Sequence, residues 1–397
     1  MDLQIQRPEI AKFFERRSHP LPALPDACVQ LLRDIQQGYT LSSSIPYHVT
    51  VHRLTAAPPM PRSFHIDAFP ADTVAAIRST LPYEIRYTFE IPPGIPVKLR
   101  FFVSALDGGR RPWRVCFAEY ARRVCVWLLC LTQYAESHCV RSLTIYVYAT
   151  SLKKTLPADP SRPLGESHVN TAFTQSCVGD NAEIVIYRSE EWFKVLIHET
   201  FHTFGLDFST ADPSVLAPVY RAIQTVFPVA SKVNAYEGYT EFWAEIANAA
   251  FVSLLLSPTT TDAHRRMQTL LAAEQAHSAC QLAKVLRHMG LVYDDFFSDP
   301  ARARIAYKEN TNVLAYFVIK HILLFHLDAT LALMRQINPR LLQSPKTQDG
   351  LQKWAQFVVQ HASAADMKQQ IHDAAVTAAS APGDEPASLR MSLYELQ

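Results

Sequence analysis

The chain of 397 residues carries 38 basic and 37 acidic side chains, and hydrophobic residues make up 48% of it. A formal net charge of +1 excludes a broad basic surface for nucleic acid or for an anionic membrane. Eleven glycines against 26 prolines indicate helices joined by stiff connections, and the length fits one large domain or two modest ones.

The first 83 residues are predicted to form an N-terminal extension without chemistry of its own. Residues 1–15 carry charges throughout and lack the apolar core of a signal peptide, so no targeting segment is expected. Short helices are predicted over 10–16 and 27–37, and a proline-rich linker follows around Pro58.

Residues 84–187 have the pattern of a mixed sheet. Two segments, 85–91 and 97–103, alternate and are rich in aromatic and β-branched residues, so they predict strands joined through Pro92-Pro93-Gly94. The other elements predicted here are a helix over 112–139, strands over 142–149 and 182–187, and a short extended segment over 168–174. A twisted mixed sheet with helices packed on it is the economical solution for this order.

The most informative stretch is His-Glu-x-x-His at positions 198–202. His198 and His202 lie one turn apart on one face of a helix, so both imidazoles can reach a single metal ion. Glu199 then projects beside that ion, where a general base is needed. Ser189 is the predicted N-cap of this helix, and Gly205 is the residue predicted to end it.

From residue 211 to residue 378 the pattern is almost wholly helical. The predicted helices cover 215–226, 240–256, 261–289, 311–337 and 348–374. The apolar run 313–327 contains lysine and histidine, which favours a buried helix over a membrane span. Residues 379–397 are polar and predict a flexible or partner-bound tail.

The seven cysteines form an odd set without a Cys-x-x-Cys pair. Four of them lie in or beside the predicted helix over 112–139. This distribution favours reduced, packed thiols over disulfides or a thiolate metal site, and it predicts a cytoplasmic, reducing compartment.

Two imidazoles need a third protein ligand to hold a catalytic zinc ion. One route continues through Gly205, where metzincins also place a glycine, but Phe208 then occupies the ligand position and Asp207 stands one residue too early. The other route uses Glu241 and Glu245, which share one face of an otherwise apolar helix. There, one carboxylate would bind the metal and the other would accept a hydrogen bond from an imidazole N–H, so both buried charges would have a partner.

These motifs together resemble those of the gluzincin metallopeptidases, the thermolysin-like group of zincins. The resemblance covers roughly residues 84–257 and rests on His-Glu-x-x-His followed by Glu-x-x-Ala-Glu at 241–245. It implies that His198, His202 and Glu241 bind Zn²⁺, that Glu199 is the general base, and that Glu245 supports a ligand from behind.

The same resemblance implies an α+β fold of zincin type. A twisted mixed sheet with a backing helix and an active-site helix would occupy 84–210, and a mostly helical subdomain over 211–378 would carry the third ligand. The segment 169–173 is also similar to the Asn-Ala-Phe edge strand by which thermolysin and neprilysin hold the substrate backbone. Asn170 and Ala172 are therefore expected to bind substrate, while the inserted Thr171 leaves the register open.

The string from Tyr187 to Phe208 also resembles metallopeptidases encoded by large nucleocytoplasmic DNA viruses. This resemblance implies a setting in the virion or the infected-cell cytoplasm, with viral structural proteins as assembly partners.

The sequence therefore predicts a zinc-dependent metallopeptidase that acts on polypeptides and has neither a nucleic-acid partner nor a membrane span. Tyr239, just before Glu241, is the favoured donor to the oxyanion of the tetrahedral intermediate. Two alternatives stay open: a non-catalytic assembly protein with a zincin fold, and an accidental motif that binds no zinc.

Overall fold

The computed structural model describes residues 21–106, 112–257, 259–378 and 387–396. The strands are β1 (His48–Arg53), β2 (Tyr83–Ile91), β3 (Ile95–Val103), β4 (Leu143–Tyr148), β5 (Ala172–Thr174) and β6 (Ala182–Ile186). The helices before residue 210 are α1 (Asp26–Ser42), α2 (Ala71–Thr80), α3 (Trp113–Leu131), α4 (Glu166–Val169) and α5 (Trp192–Thr203). Those that follow are α6 (Pro213–Val226), α7 (Tyr236–Leu255), α8 (Thr260–His288), α9 (Asp295–Ser298), α10 (Pro300–Ala306), α11 (Lys320–Phe325), α12 (Leu327–Ile337), α13 (Gln348–His361) and α14 (Ala365–Ala378), with a π-helical segment at Leu314–Ile319.

The chain divides into two compact units. The sheet unit comprises Gln30–Lys153 and Asn170–Leu206. The helical unit comprises Met1–Val29, Lys154–Val169 and Asp207–Gln397. The fold class is therefore α+β, as predicted, with the strands in one unit and long helices dominating the other.

The sheet has the strand order β1-β2-β3-β4-β6-β5. β1, β2 and β3 pair antiparallel, β3, β4 and β6 pair parallel, and β5 returns antiparallel on β6. Gly94, with φ of 112°, makes the tight turn between β2 and β3 that the Pro-Pro-Gly sequence predicted. The sheet is therefore open and mixed, with β1 and β5 at its two ends.

Successive side chains of the central strands serve opposite faces of this sheet, as the pleat requires. On one face Phe102 stacks on Tyr148 with ring centroids 4.9 Å apart, in a cluster that also contains Ile77 of α2. On the other face Phe101 meets Trp192, the first residue of α5, at 5.5 Å. The motif helix therefore packs directly on the sheet.

The helical unit is built around α7, in which every residue from Glu237 to Ser253 is buried. This helix is apolar on nearly all sides, which is typical of a central helix. α7 contacts α8, α11 and the π-helical segment, while α8 contacts α14 and α6 contacts α13.

Residues 387–396 are packed against the helical unit, which contradicts the prediction of a flexible tail for this part of 379–397. Leu389, Met391 and Leu393 are buried. The buried carboxylate of Glu274 accepts the backbone N–H of Leu393 at 3.0 Å and the hydroxyl of Ser392 at 2.6 Å. These bonds give buried polar groups the partners they require.

Two long predicted helices are interrupted in the structure. The predicted helix over 311–337 is divided among the π-helical segment, α11 and α12, with a bend of 95° at the break before Leu327. The predicted helix over 348–374 is divided into α13 and α14. The run 313–327 is largely buried, as predicted. Among the described residues no single helix has the length and hydropathy of a membrane span, although this bent pair passes the same test when taken together.

The region before residue 84 contains more structure than predicted. β1 pairs with β2 from His48↔Thr88 to Arg53↔Tyr83, and α2 packs on the sheet, so both are parts of the sheet unit. The predicted helix over 27–37 is confirmed within α1, whereas the one predicted over 10–16 lies outside the described residues.

The prediction that all cysteines are reduced is wrong for two of them, because Cys139 and Cys177 form a disulfide bond. They are 38 residues apart in the chain, and only the folded sheet unit brings them together. The thiols of Cys28, Cys125 and Cys130 are buried as predicted, whereas Cys116 and Cys280 are partly exposed. Burial, with a smaller contribution from Asp328, raises the pKa of the Cys28 thiol to about 12.

Candidate metal centre

The motif helix α5 is positioned by a short connection from β6. The backbone N–H and the hydroxyl of Ser189 both donate to the carbonyl oxygen of Thr150, at the end of β4. Ser189 is therefore not the N-cap, contrary to prediction. Glu191 precedes the helix, with φ of 57°, and its carbonyl oxygen accepts the N–H of Val195 at 2.9 Å.

The C-terminal end of α5 confirms the prediction for Gly205. This residue has φ of 66°, in the left-handed region that favours glycine. Its N–H donates to the backbone carbonyl oxygen of His202 at 3.2 Å, and the N–H of Leu206 donates to the carbonyl oxygen of Phe201 at 2.8 Å. This pair of bonds is a Schellman motif, which ends the helix at Thr203, one residue after the second imidazole.

The two imidazoles of α5 meet as the spacing predicts. His198 Nε2 and His202 Nε2 are 3.2 Å apart, with the ring planes inclined at 75°. Two nitrogens at about 2.05 Å from one tetrahedral ion are separated by about 3.3 Å, so the observed distance fits a shared zinc ion. A hydrogen bond between two neutral imidazoles has a similar length. The distance therefore fits both a shared zinc ion and a direct hydrogen bond.

Side chains beside the motif hold α5 in place. Thr200 accepts a hydrogen bond from the indole N–H of Trp127 at 2.8 Å and donates to the carbonyl oxygen of Ile197 at 2.6 Å. Trp127 belongs to α3, which is therefore the helix that backs α5. Sequence reasoning missed this pair, since the two residues are 73 positions apart.

A second hydroxyl connects α5 to the edge strand β5. Thr203 donates to the carbonyl oxygen of Glu199 at 2.8 Å and lies 2.9 Å from the hydroxyl of Thr174. Thr174 in turn donates to the carbonyl oxygen of Glu183 in β6 at 2.7 Å. The backbone of the predicted general base is thus tied to the end of the sheet.

The predicted extended segment over 168–174 is confirmed only at its end. His168 and Val169 belong to α4, and the strand begins at Ala172. Tyr187 N–H donates to the carbonyl oxygen of Thr171, and the strand register pairs Ala172 with Ile186. Backbone groups alternate in direction along an antiparallel pair, so the N–H and C=O of Ala172 point away from β6.

The register thus separates Thr171 from Ala172, although both residues are buried. The carbonyl of Thr171 is bonded towards β6, whereas the backbone N–H and C=O of Ala172 face away from β6. The predicted role of Ala172 in substrate binding stays a prediction. Asn170 is half-buried and lies between α4 and β5. Its predicted role in substrate binding stays a prediction.

The predicted carboxylates lie on α7, in the helical unit. Glu237, Glu241 and Glu245 are four residues apart, so they share one face, and all three are buried. Glu245 forms an ion pair with Lys320 at 2.5 Å, and both side chains are fully buried. Glu237 accepts a hydrogen bond from Asn312 at 3.0 Å. Glu241, the predicted third ligand, is 1% exposed.

Tyr239 is fully buried on the same helix. Its hydroxyl donates to the carbonyl oxygen of Leu342 at 3.1 Å and accepts from the side-chain amide of Asn338 at 2.9 Å. Burial raises the pKa of Tyr239 well above its ordinary value. To donate to an oxyanion it would have to give up the bond to Leu342, and its predicted role stays a prediction.

Asp207 and Phe208, which follow the turn at Gly205, also have partners within the helical unit. Asp207 accepts the N–H of Ser209 at 2.8 Å and the hydroxyl of Thr240 at 3.3 Å. Phe208 packs on Trp354 with ring centroids 5.2 Å apart, as a core residue would. The candidates thus divide between the units: the two imidazoles and Glu199 belong to the sheet unit, and the carboxylates of α7 belong to the helical unit.

The protein is thus a mixed α+β protein whose motif helix brings the Nε2 atoms of two imidazoles to within 3.2 Å of each other. Comparison with protein-family models, with curated protein sequences and with solved structures finds no match to this chain.

Proposed function

We propose that this protein is a zinc-dependent metallopeptidase of the zincin type. The observation that carries the proposal is the pair of Nε2 atoms of His198 and His202, 3.2 Å apart on one buried helix with Glu199 beside them. A purely structural zinc site has no need of that carboxylate. The sheet with its edge strand, the backing helix α3 and the active-site helix α5 are the parts that a zincin fold requires.

The proposed zinc ligands are His198, His202 and Glu241. Glu241 is chosen because it matches the first Glu of the gluzincin Glu-x-x-Ala-Glu motif. Glu237 stands one turn earlier on the same face and is the alternative ligand. When bound, zinc supplies a Lewis acid and lowers the pKa of water toward neutrality.

The chain's own residues supply the remaining chemistry. Glu199 accepts the proton of the attacking water and passes it to the leaving amine, as a general base and then a general acid. The N–H and C=O of Ala172 at the sheet edge bind the backbone of an extended peptide in the manner of an added strand. The substrate class is therefore polypeptide.

Hydrolysis of a quenched peptide library by Glu199→Gln tests this proposal. Loss of a positioned proton-transfer group lowers turnover by about 10²–10⁴-fold, while zinc content stays at the wild-type level. Glu90→Gln, at an exposed position of β2, is the matched control and keeps full activity.

Two results would contradict the proposed peptidase activity. If wild type and Glu199→Gln bind zinc and show the same background hydrolysis, the protein is a non-catalytic assembly protein. If the purified wild-type chain takes up no zinc at all, the motif is accidental.

A further inference from the structure

A second group of metal-binding side chains lies in two loops of the sheet unit, away from α5 in the sequence. One loop follows α3 and contains Glu136, His138 and Cys139; the other precedes β6 and contains Cys177. The ligand atoms of these four residues lie within 4.8 Å of one another. The predicted peptidase uses none of them.

Backbone hydrogen bonds hold the two loops together. Gly179 N–H donates to the carbonyl oxygen of Cys139 at 2.9 Å, and Arg141 N–H donates to that of Gly179 at 2.8 Å. The backbone at Cys177 and at Gly179 is left-handed, with φ of 52° and 79°. For a residue with a side chain this conformation is uncommon, and here it turns Cys177 toward the other loop.

His138 lies at the centre of the cluster. Its Nε2 is 3.4 Å from the sulfur of Cys177, 3.8 Å from the sulfur of Cys139 and 3.6 Å from a carboxylate oxygen of Glu136. Around one tetrahedral zinc ion, bond lengths of about 2.0 Å to nitrogen and 2.3 Å to sulfur separate the two ligands by about 3.5 Å. The distances from His138 to the other three residues are thus close to those of a zinc site, whereas the two sulfurs are bonded to each other and would have to separate.

We propose that the reduced form of this cluster is a zinc-type thiolate site and that the Cys139–Cys177 disulfide is its oxidised, metal-free form. A dithiol reductant donates two electrons and two protons, so that the disulfide opens to two thiols and the reductant leaves as its own disulfide. Binding of one divalent ion then releases the two thiol protons. Cys139 and Cys177 become thiolate ligands, His138 the nitrogen ligand and Glu136 the oxygen ligand.

The cluster is accessible to both an ion and a reductant. The His138 side chain is 70% exposed, and Cys177 is partly exposed, whereas Cys139 is buried. In either state the cluster clamps the loops that lead into β4 and β6. This site does not depend on the proposed peptidase activity.

Cobalt binding to the full chain tests the proposal, because only a thiolate ligand produces sulfur-to-cobalt charge-transfer absorption in the near ultraviolet. The protein is reduced with a dithiol, freed of it without oxygen, and titrated with Co²⁺ alone. We expect one such chromophore per chain in the reduced protein and none in the oxidised protein. His198 and His202 contribute none, so a second cobalt ion at the motif does not disturb the measurement.

Four variants sharpen this test. The double variant Cys139→Ser/Cys177→Ser abolishes the absorption, and His138→Ala, which alters only an exposed side chain, weakens cobalt binding about tenfold or more. Cys116→Ser and His65→Ala, outside the cluster, leave both properties unchanged. The proposal is overturned if reduced wild type shows no thiolate absorption, if the absorption survives in the Cys139→Ser/Cys177→Ser double variant, or if His138→Ala binds cobalt as tightly as wild type.

Discussion

Two buried helices, α5 in the sheet unit and α7 in the helical unit, carry ionisable side chains at the same four-residue spacing. On α7, Glu245 is neutralised within its own unit by Lys320, and Glu237 is bonded to Asn312. On α5, His198 and His202 meet each other at 3.2 Å. The four-residue spacing thus predicts a shared helix face in both units, whereas the partners of the side chains on that face differ and are not visible in the spacing.

The largest expected effect on the free energy of unfolding comes from removing the ammonium group of Lys320, which neutralises Glu245 on α7. Lys320→Met leaves the carboxylate of Glu245 buried without its countercharge, which costs about 3–5 kcal/mol. Urea unfolding of the full chain measures this loss. Lys353→Met is the matched control, because its pair with Asp349 is largely exposed and worth about 0–1 kcal/mol. Equal losses in the two variants would contradict a structural role for the Glu245–Lys320 pair.

The buried imidazole of His321, in α11 of the helical unit, is expected to make the fold sensitive to acid. Burial, with smaller contributions from Lys320 and His326, lowers the pKa of His321 from 6.5 to about 3. The unfolded chain takes up this proton below pH 6.5 and the folded chain does not. The residue's contribution to stability is therefore present above pH 6.5 and lost as pH falls toward 3.

We expect His321→Leu to remove a part of the pH dependence worth up to about 1.4 kcal/mol per pH unit in that range. Urea midpoints of wild type and variant between pH 7 and pH 4 measure it. His372→Leu, at an exposed position of α14, serves as the control. If the urea midpoint changes with pH equally in wild type and in His321→Leu, this imidazole is not held neutral by burial.

Substitution of Gly205, the residue that ends α5, has the smallest expected effect on the free energy of unfolding. Gly205→Ala places a Cβ on a residue with φ of 66°, which costs about 1–2 kcal/mol. Gly165→Ala is the control, since a Cβ there meets its nearest atom at 3.7 Å and the backbone has no positive φ. Thermal unfolding compares the two variants. A Gly205→Ala protein as stable as its control would mean that the Schellman motif contributes nothing to the end of α5.

The sheet unit could be predicted where the local pattern carries the signal. The alternation over β2 and β3, the Pro-Pro-Gly turn, and the glycine that ends α5 are all confirmed. β1 was missed because its six residues, His48–Arg53, are exposed or half-buried throughout, so no apolar face marks the strand. Ser189 was predicted as an N-cap from its residue type, but its hydroxyl is bonded to the end of β4, which the sequence does not place nearby.

Features that depend on contacts between residues far apart in the chain could not be predicted from local sequence patterns. The break between α11 and α12 has neither proline nor glycine, and the Cys139–Cys177 disulfide joins two separate loops. Residues 387–396 do contain a signal that was overlooked, since Leu389, Met391 and Leu393 alternate and are buried. For the third metal ligand, Glu237, Glu241 and Glu245 share one helix face, so the spacing alone does not choose among them.

The central claim is that His198 and His202 hold one metal ion. Anomalous diffraction at the zinc absorption edge, from crystals of the full chain grown with zinc, tests it most directly. We expect a peak at about 2.0–2.1 Å from the Nε2 atoms of both imidazoles. A zinc-loaded crystal without a peak between them, or with peaks only beside Cys139 and Cys177, would contradict it.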